Sequence, residues 1–186
     1  MRFEAEVGQS KLVLLKGDIT VEETEAIVNS ANPELTPGGG VSGAIHRRGG
    51  PRVTEEAARI RRERGRLKTG EAVITTGGNL PAKWVIHTVG PVWRGGTRGE
   101  PEQLGKAYRA CLELAVARGI RTIAFPSIST GVYGYPVEKA AEVALRTVKA
   151  FLEGNPGALE EVRFVLFSEA DFTAYREAWE RIAGEG

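Results

Sequence analysis

Short apolar, β-branched runs alternate along this chain with longer amphipathic stretches, and that alternation restricts it to an α/β fold. Residues 3–7 and 11–15 read as two strands, and 26–29 as a third. Residues 72–76, 84–89, 120–125 and 162–167 read as further strands by their β-branched and aromatic content. Helical spacing covers 41–48, 53–64, 102–118, 136–152 and 172–182. Gly119 stops one helix and Pro136 opens the next. Thr20 with Glu23 fits a capping box for a short helix, and 95–101 reads as a mobile surface loop. Two early strands in close succession suggest an antiparallel start, whereas helices between the later strands imply parallel crossovers. The expectation is a three-layer α/β/α sandwich around a central mixed, mostly parallel sheet, with residues 1–186 forming one domain.

The overall balance narrows the possible partners. Twenty-five basic residues against 24 acidic ones leave a net charge of +1. That argues against general nucleic-acid binding, which draws on a basic excess. The single Cys111 excludes a disulfide framework and a cysteine-based zinc site. The first residues lack a basic-then-apolar leader, and no apolar run reaches the ~18 residues of a membrane span. A soluble cytoplasmic protein without a membrane partner is expected. Composition and charge are silent on oligomeric state.

Gly38-Gly39-Gly40-Val41-Ser42-Gly43 matches G-x-G-x-x-G between a strand and a helix. Glycine admits positive φ and lets backbone N–H groups approach an anion, while a helix N-terminus adds partial positive charge. A phosphate is therefore well received here. Two details oppose a dinucleotide-binding, NAD(P)-dependent oxidoreductase. Residues 32–37 separate the motif from its strand, and two strands precede that unit. The plain alternative is a flexible loop in which Ser42 only caps a helix.

Ser127-Ile128-Ser129-Thr130-Gly131-Val132-Tyr133-Gly134-Tyr135-Pro136 forms a second strand-to-helix loop. Its hydroxyls and amides can solvate phosphate oxygens, and Tyr133 can cover a sugar. Ligands of open α/β sheets lie beyond the carboxyl ends of strands, where both loops emerge. Two facing cradles suit a diphosphate. At the same edge, Asp18 can accept from an adenine amino group, and Asn29 and Asn32 offer donors and acceptors to ribose hydroxyls. Phe167 can stack on a base. The alternatives are a turn residue at Asp18, a loop brace at Asn29 and a core residue at Phe167.

Gly17-Asp18-Ile19-Thr20, Val28-Asn29-Ser30-Ala31-Asn32, residues 38–46 and residues 128–136, taken in order, resemble the macro domain, an ADP-ribose-binding α/β/α module. The resemblance covers nearly the whole chain. It implies that Asp18 and the Ile19 backbone bind adenine and that Asn32 holds the distal ribose. It places Gly39, Gly40, Val41 and Ser42 beside the diphosphate and distal ribose. Ser129, Thr130, Gly131, Val132 and Tyr133 would clasp the diphosphate from the other side, and Phe167 would stack on adenine. In the branch of the family that hydrolyses mono-ADP-ribose and O-acetyl-ADP-ribose, an aspartate follows Gly-Gly-Val. Ser42 stands there in this chain. A carboxylate can deprotonate water and a serine can only hydrogen-bond, a difference of about 10²–10⁴-fold for general-base catalysis.

The expectation is thus an ADP-ribose binder, acting on the free compound or on the ADP-ribosyl group of a modified macromolecule, with weak ester hydrolysis. The alternative is a mono-ADP-ribosyl hydrolase or O-acetyl-ADP-ribose deacetylase, with Asn32 and Ser42 as its candidate catalytic residues. No cofactor and no metal are expected, since His46 and His87 have no clustered carboxylate. His46 reads as a helix-packing or capping residue and His87 as a core residue. The arginines of 59–66 read as a solvated face, and Cys111 as a small apolar side chain.

Overall fold

A computed structural model describes residues 1–185. One seven-stranded sheet has the order β1-β2-β7-β6-β3-β5-β4. Its strands are β1 (Arg2–Val7), β2 (Ser10–Lys16), β3 (Ala26–Ser30), β4 (Ala72–Thr76), β5 (Trp84–Thr88), β6 (Thr122–Phe125) and β7 (Glu161–Leu166). The five from β2 to β5 in that order are parallel, and β1 and β4 flank them antiparallel. The sheet is therefore mixed and mostly parallel, as the alternation predicts.

Strands buried on both faces alternate their side chains between two layers. Leu12, Leu14, Val28, Ile86, Phe125 and Phe164 enter the larger core. That core is closed by α3 (Glu100–Ala117), α4 (Val137–Gly154) and α5 (Glu169–Gly184). Ile27, Val85, Ala124 and Val165 point the other way, toward Ile45 of α1 (Gly40–Gly49). Ala57 of α2 (Pro51–Arg64) completes a third cluster with Ala31, Leu35, Leu67 and Val89. Cys111 is buried in the larger core, and burial pushes its thiol up to about 12.

Two local expectations are revised. Thr20 does not cap a helix with Glu23. Asp18 caps a short 3-10 turn at Ile19–Val21, its carboxylate accepting from the Thr20 amide at 2.9 Å and hydroxyl at 2.6 Å. Residues 95–101 do not form a free loop either. The buried Glu100 carboxylate accepts the backbone N–H groups of Arg94, Gly96 and Arg98 at 2.8, 2.9 and 2.7 Å. These bonds outweigh its desolvation and bring its pKa down to about 2. Helix α3 accordingly starts at Glu100, ahead of the position its spacing predicts.

Candidate functional site

Because five neighbouring strands run in one direction, their carboxyl ends deliver five segments to one rim of the sheet. From one side to the other these are Gly17-Asp18 after β2, Phe167 after β7, residues 126–136 after β6, residues 31–39 after β3, and residues 89–99 after β5. A cavity of about 310 Å³ opens between the third and fourth. Of the residues singled out in the sequence, it is lined by Asn32, Gly39, Gly40, Val41, Ser42, Ser129, Gly131, Val132 and Tyr133. Asp18, Ile19, Thr130 and Phe167 lie outside its lining. Ser30, Ala31 and Ser127, from the segments quoted above, line it too, as does Pro126, which carries no signal in the sequence. Their positions follow only from which strand ends meet.

The glycine loop is pre-set. Gly40 has φ +54°, a conformation that costs other residues steric strain. Gly43 must lack a side chain, because a Cβ there would meet the Gly38 carbonyl oxygen at 2.4 Å. Upstream, the Leu67 amide donates to the Pro33 carbonyl at 2.9 Å, and Glu34 bonds Arg61 and Arg66. Asn32 ties its own loop, its amide donating to the Thr36 carbonyl at 3.1 Å and accepting from the Thr36 amide at 3.2 Å. Helix α1 begins at Gly40 and Ser42 lies in its first turn. The N–H groups of that turn have no intrahelical partners, so this end has the donors an anion would need.

The facing loop is anchored from below by two buried tyrosines. Tyr108 of α3 accepts from the Ile128 amide at 3.0 Å and donates to the Pro126 carbonyl at 3.3 Å. Tyr175 of α5 shares a 2.7 Å bond with the Ser127 hydroxyl. Both rings pack into an aromatic group with Phe125 and Phe164, with centroids 5.1–5.9 Å apart. Ser129 adopts φ +70°, and its buried Oγ has no protein partner among the described residues. Gly90 permits this, since a Cβ there would come within 2.2 Å of that oxygen. Thr130 turns inward and donates to the Ser127 carbonyl at 3.1 Å. Val132, at 99% exposure, stands open at the rim.

At the other end of the rim, the Gly17 amide donates to the Leu166 carbonyl at 3.0 Å, which sets Asp18 beside Phe167. Phe167 is 85% exposed, so it is not a core residue. The Thr20 hydroxyl and amide hold the Asp18 carboxyl below its ordinary range, and Arg48 adds to this. The Ile19 side chain packs beneath, with Ile45. Asn29 is buried below the cavity and reaches His87 and Ser42. His46 bonds Thr54 of α2 at 2.9 Å, the helix-packing role its position suggests.

The model of the family described as "Macro domain" matches residues 28–144. A macro domain-containing protein of Caldanaerobacter subterraneus, TTE0995, is 53% identical over 94% of this chain and 98% of its own. An O-acetyl-ADP-ribose deacetylase of Salmonella typhimurium is 54% identical over 89% of this chain and 92% of its own. Among solved structures, the Oceanobacillus iheyensis macrodomain with ADP superposes with a TM-score of 0.96 at 41% identity, covering 100% of this chain and 98% of that one. The Trypanosoma brucei macrodomain in complex with ADP-ribose does so at 0.83 and 42%, over 90% of this chain and 68% of that one.

Proposed function

This chain belongs to the macro domain family, and we propose that it binds ADP-ribose, free or attached to a macromolecule, along the carboxyl rim of its sheet. The observation that carries this reading is the pair of braced loops facing each other across the cavity. One presents the open N-terminus of α1 and the other the amides around Gly131. In this reading the diphosphate lies between them and the adenine lies at Asp18 and Phe167. The distal ribose reaches Asn32, Ser42 and Tyr133. The likeness to structures holding ADP and ADP-ribose supports it.

The adenine end rests on two complementary features. The second oxygen of the Asp18 carboxylate remains free after Thr20 has taken the first, so it can accept an amino proton. Phe167 offers an exposed flat face beside it, and stacking on an aromatic ring is worth about 1–3 kcal/mol per base in single-strand complexes. The whole chain would act as one module in the cytoplasm. The single cysteine accords with that compartment, and no helix among the described residues is long and apolar enough to cross a membrane.

Hydrolysis of an ADP-ribosyl or O-acetyl ester is the second reading, favoured by the name of the Salmonella relative. Ser42 supplies no base for it. A positioned water would have to act with help from ligand phosphate or from backbone donors. The deciding experiment follows release of ADP-ribose from a glutamate-linked ADP-ribosylated protein at excess enzyme, with Asn32→Ala as control and calorimetric binding of ADP-ribose measured in parallel. Binding without release makes the chain a reader. Release that depends on Asn32 makes it a hydrolase, and absence of binding overturns both readings.

A further inference from the structure

Below the cavity floor runs a row of buried polar side chains, Thr75, His87, Asn29 and Ser42, that crosses from β4 through β5 and β3 to α1. The Thr75 hydroxyl donates to the Thr76 carbonyl at 3.0 Å. A carbonyl has no proton to give, so the direction of that bond is set. Having spent its proton, the Thr75 oxygen accepts from His87 Nε2 at 2.9 Å. Complete burial lowers the His87 pKa to about 3, so the ring carries one proton, on Nε2, and Nδ1 is an acceptor. Its partner at 3.1 Å is Nδ2 of Asn29, which must donate.

That bond orients the Asn29 amide and turns its second N–H toward Ser42 Oγ, a long contact at 3.4 Å. Ser42 thus accepts from the interior, and its own proton is left for the cavity it lines. An aspartate at this position would present only acceptors there.

Strand order tells which part of a ligand this proton meets. Asp18 and Phe167 follow β2 and β7, the 126–136 loop follows β6, and Ser42 sits over β3. Two strand spacings separate β7 from β3, about 10 Å, with the phosphate cradle between them. Ser42 therefore faces the portion of an adenine-diphosphate ligand beyond the phosphates. A ribose hydroxyl can donate or accept, so this donor is only one of the partners open to it. The carbonyl oxygen of an ester can only accept, so a directed donor discriminates in its favour.

We propose that Ser42 is a specificity-determining hydrogen-bond donor for ADP-ribose acylated on its distal ribose, its proton turned into the cavity by the Thr75–His87–Asn29 chain to meet the acyl carbonyl. The inference rests on the ADP-ribose reading above. Asn29 and His87 act as positioning residues, because they reach the ligand only through Ser42.

Calorimetry on the full chain with three probes tests it: ADP, ADP-ribose, and an ADP-ribose analogue carrying a hydrolysis-resistant acetamido group on the distal ribose. Ser42→Ala should weaken the acetamido analogue about fivefold to tenfold, the worth of one neutral hydrogen bond. ADP and ADP-ribose should weaken measurably less than the analogue does, and Ser42→Thr, which keeps the hydroxyl, should restore the analogue. Asn29→Asp replaces the inner donor by an acceptor and draws the Ser42 proton inward. It should reproduce the selective loss, with no further loss in the double variant. If Asn29→Asp does not fold, the Ser42→Ala and Ser42→Thr pair decides. Equal weakening of all three probes by Ser42→Ala, or of none, overturns the donor role while leaving the ADP-ribose reading intact. Failure of the unaltered chain to bind ADP and ADP-ribose overturns both.

Discussion

The backbone N–H of Trp93 donates to the Tyr133 carbonyl across 2.9 Å. This bond joins the segment after β5 to the outer wall of the cavity. The Trp93 ring also packs on Tyr135 at 4.6 Å between centroids, so the 126–136 loop is held on its outer side as well. Residues 94–98 are in turn folded around the Glu100 carboxylate. A carboxylate with no direct part in the cavity thus braces one of its two walls.

Glu100→Gln should release that brace. The amide can accept only through one oxygen, so the N–H groups of Arg94, Gly96 and Arg98 lose charge-assisted partners. Hydrogen exchange at these amides should quicken about tenfold, with a weaker affinity for ADP-ribose. The effect on stability has a definite pH signature. The folded carboxyl titrates at about 2, below its ordinary 4.5. Its contribution is therefore complete above pH 4.5 and disappears as pH falls through 2. Thermal melts should separate the two proteins at neutral pH and bring them together near pH 2.

Gly39 and Gly40 should separate blocking from strain. Neither has an atom within 4 Å of an added Cβ, but only Gly40 has positive φ, +54°. Gly39→Val should leave stability within about 0.5 kcal/mol and weaken ADP-ribose by projecting into the cavity. Gly40→Val should also lose about 1–3 kcal/mol in urea unfolding, because a β-branched residue is forced into the left-handed region. Equal stability losses would mean that the loop relaxes.

Asp18→Ala should weaken adenine-containing ligands about tenfold or more, the worth of a hydrogen bond to a charged acceptor. Binding of ribose 5-phosphate, which has no adenine, should be unchanged. Calorimetry with both compounds distinguishes a lost base contact from collapse of the Ile19–Val21 turn, which would affect both.

Tyr108→Phe removes one oxygen and leaves the buried Ile128 N–H and Pro126 carbonyl without their partner. The expected cost is about 1–3 kcal/mol in urea unfolding. Ser129, next in the chain, should show it in ligand affinity as well.

Ser42→Asp places a carboxylate in the first turn of α1, where the helix N-terminus favours negative charge and Asn29 can donate to it. Such a group can orient and deprotonate water. Release of ADP-ribose from the ester-linked protein should rise about 10²-fold or more in single turnover. Unchanged release would show that the base is not what limits hydrolysis.

The strand and helix pattern, the mixed sheet and the two glycine-bearing loops after β3 and β6 were legible in the chain itself, because hydrophobic period, glycine and proline act over a few residues. Asp18, Asn32, Gly39, Gly40 and Ser42 could be singled out for the same reason, since each belongs to a contiguous segment whose chemistry is local. The bracing of those loops could not be read that way. Tyr108 and Tyr175 look like ordinary core aromatics until the sheet order brings α3 and α5 under residues 126–128. Glu100 resembles any acidic helix start, and only the closure of 94–98 around it makes it a buried acceptor. Whether Phe167 is core or surface was likewise decided by the strand's end lying on an open rim. The direction of the Ser42 proton depends on Thr75, Thr76, His87 and Asn29, residues from three strands. Local sequence sets which groups are present and how the nearby chain bends. Which distant donor meets which acceptor is a property of packing, decided only when strands far apart in the chain lie side by side.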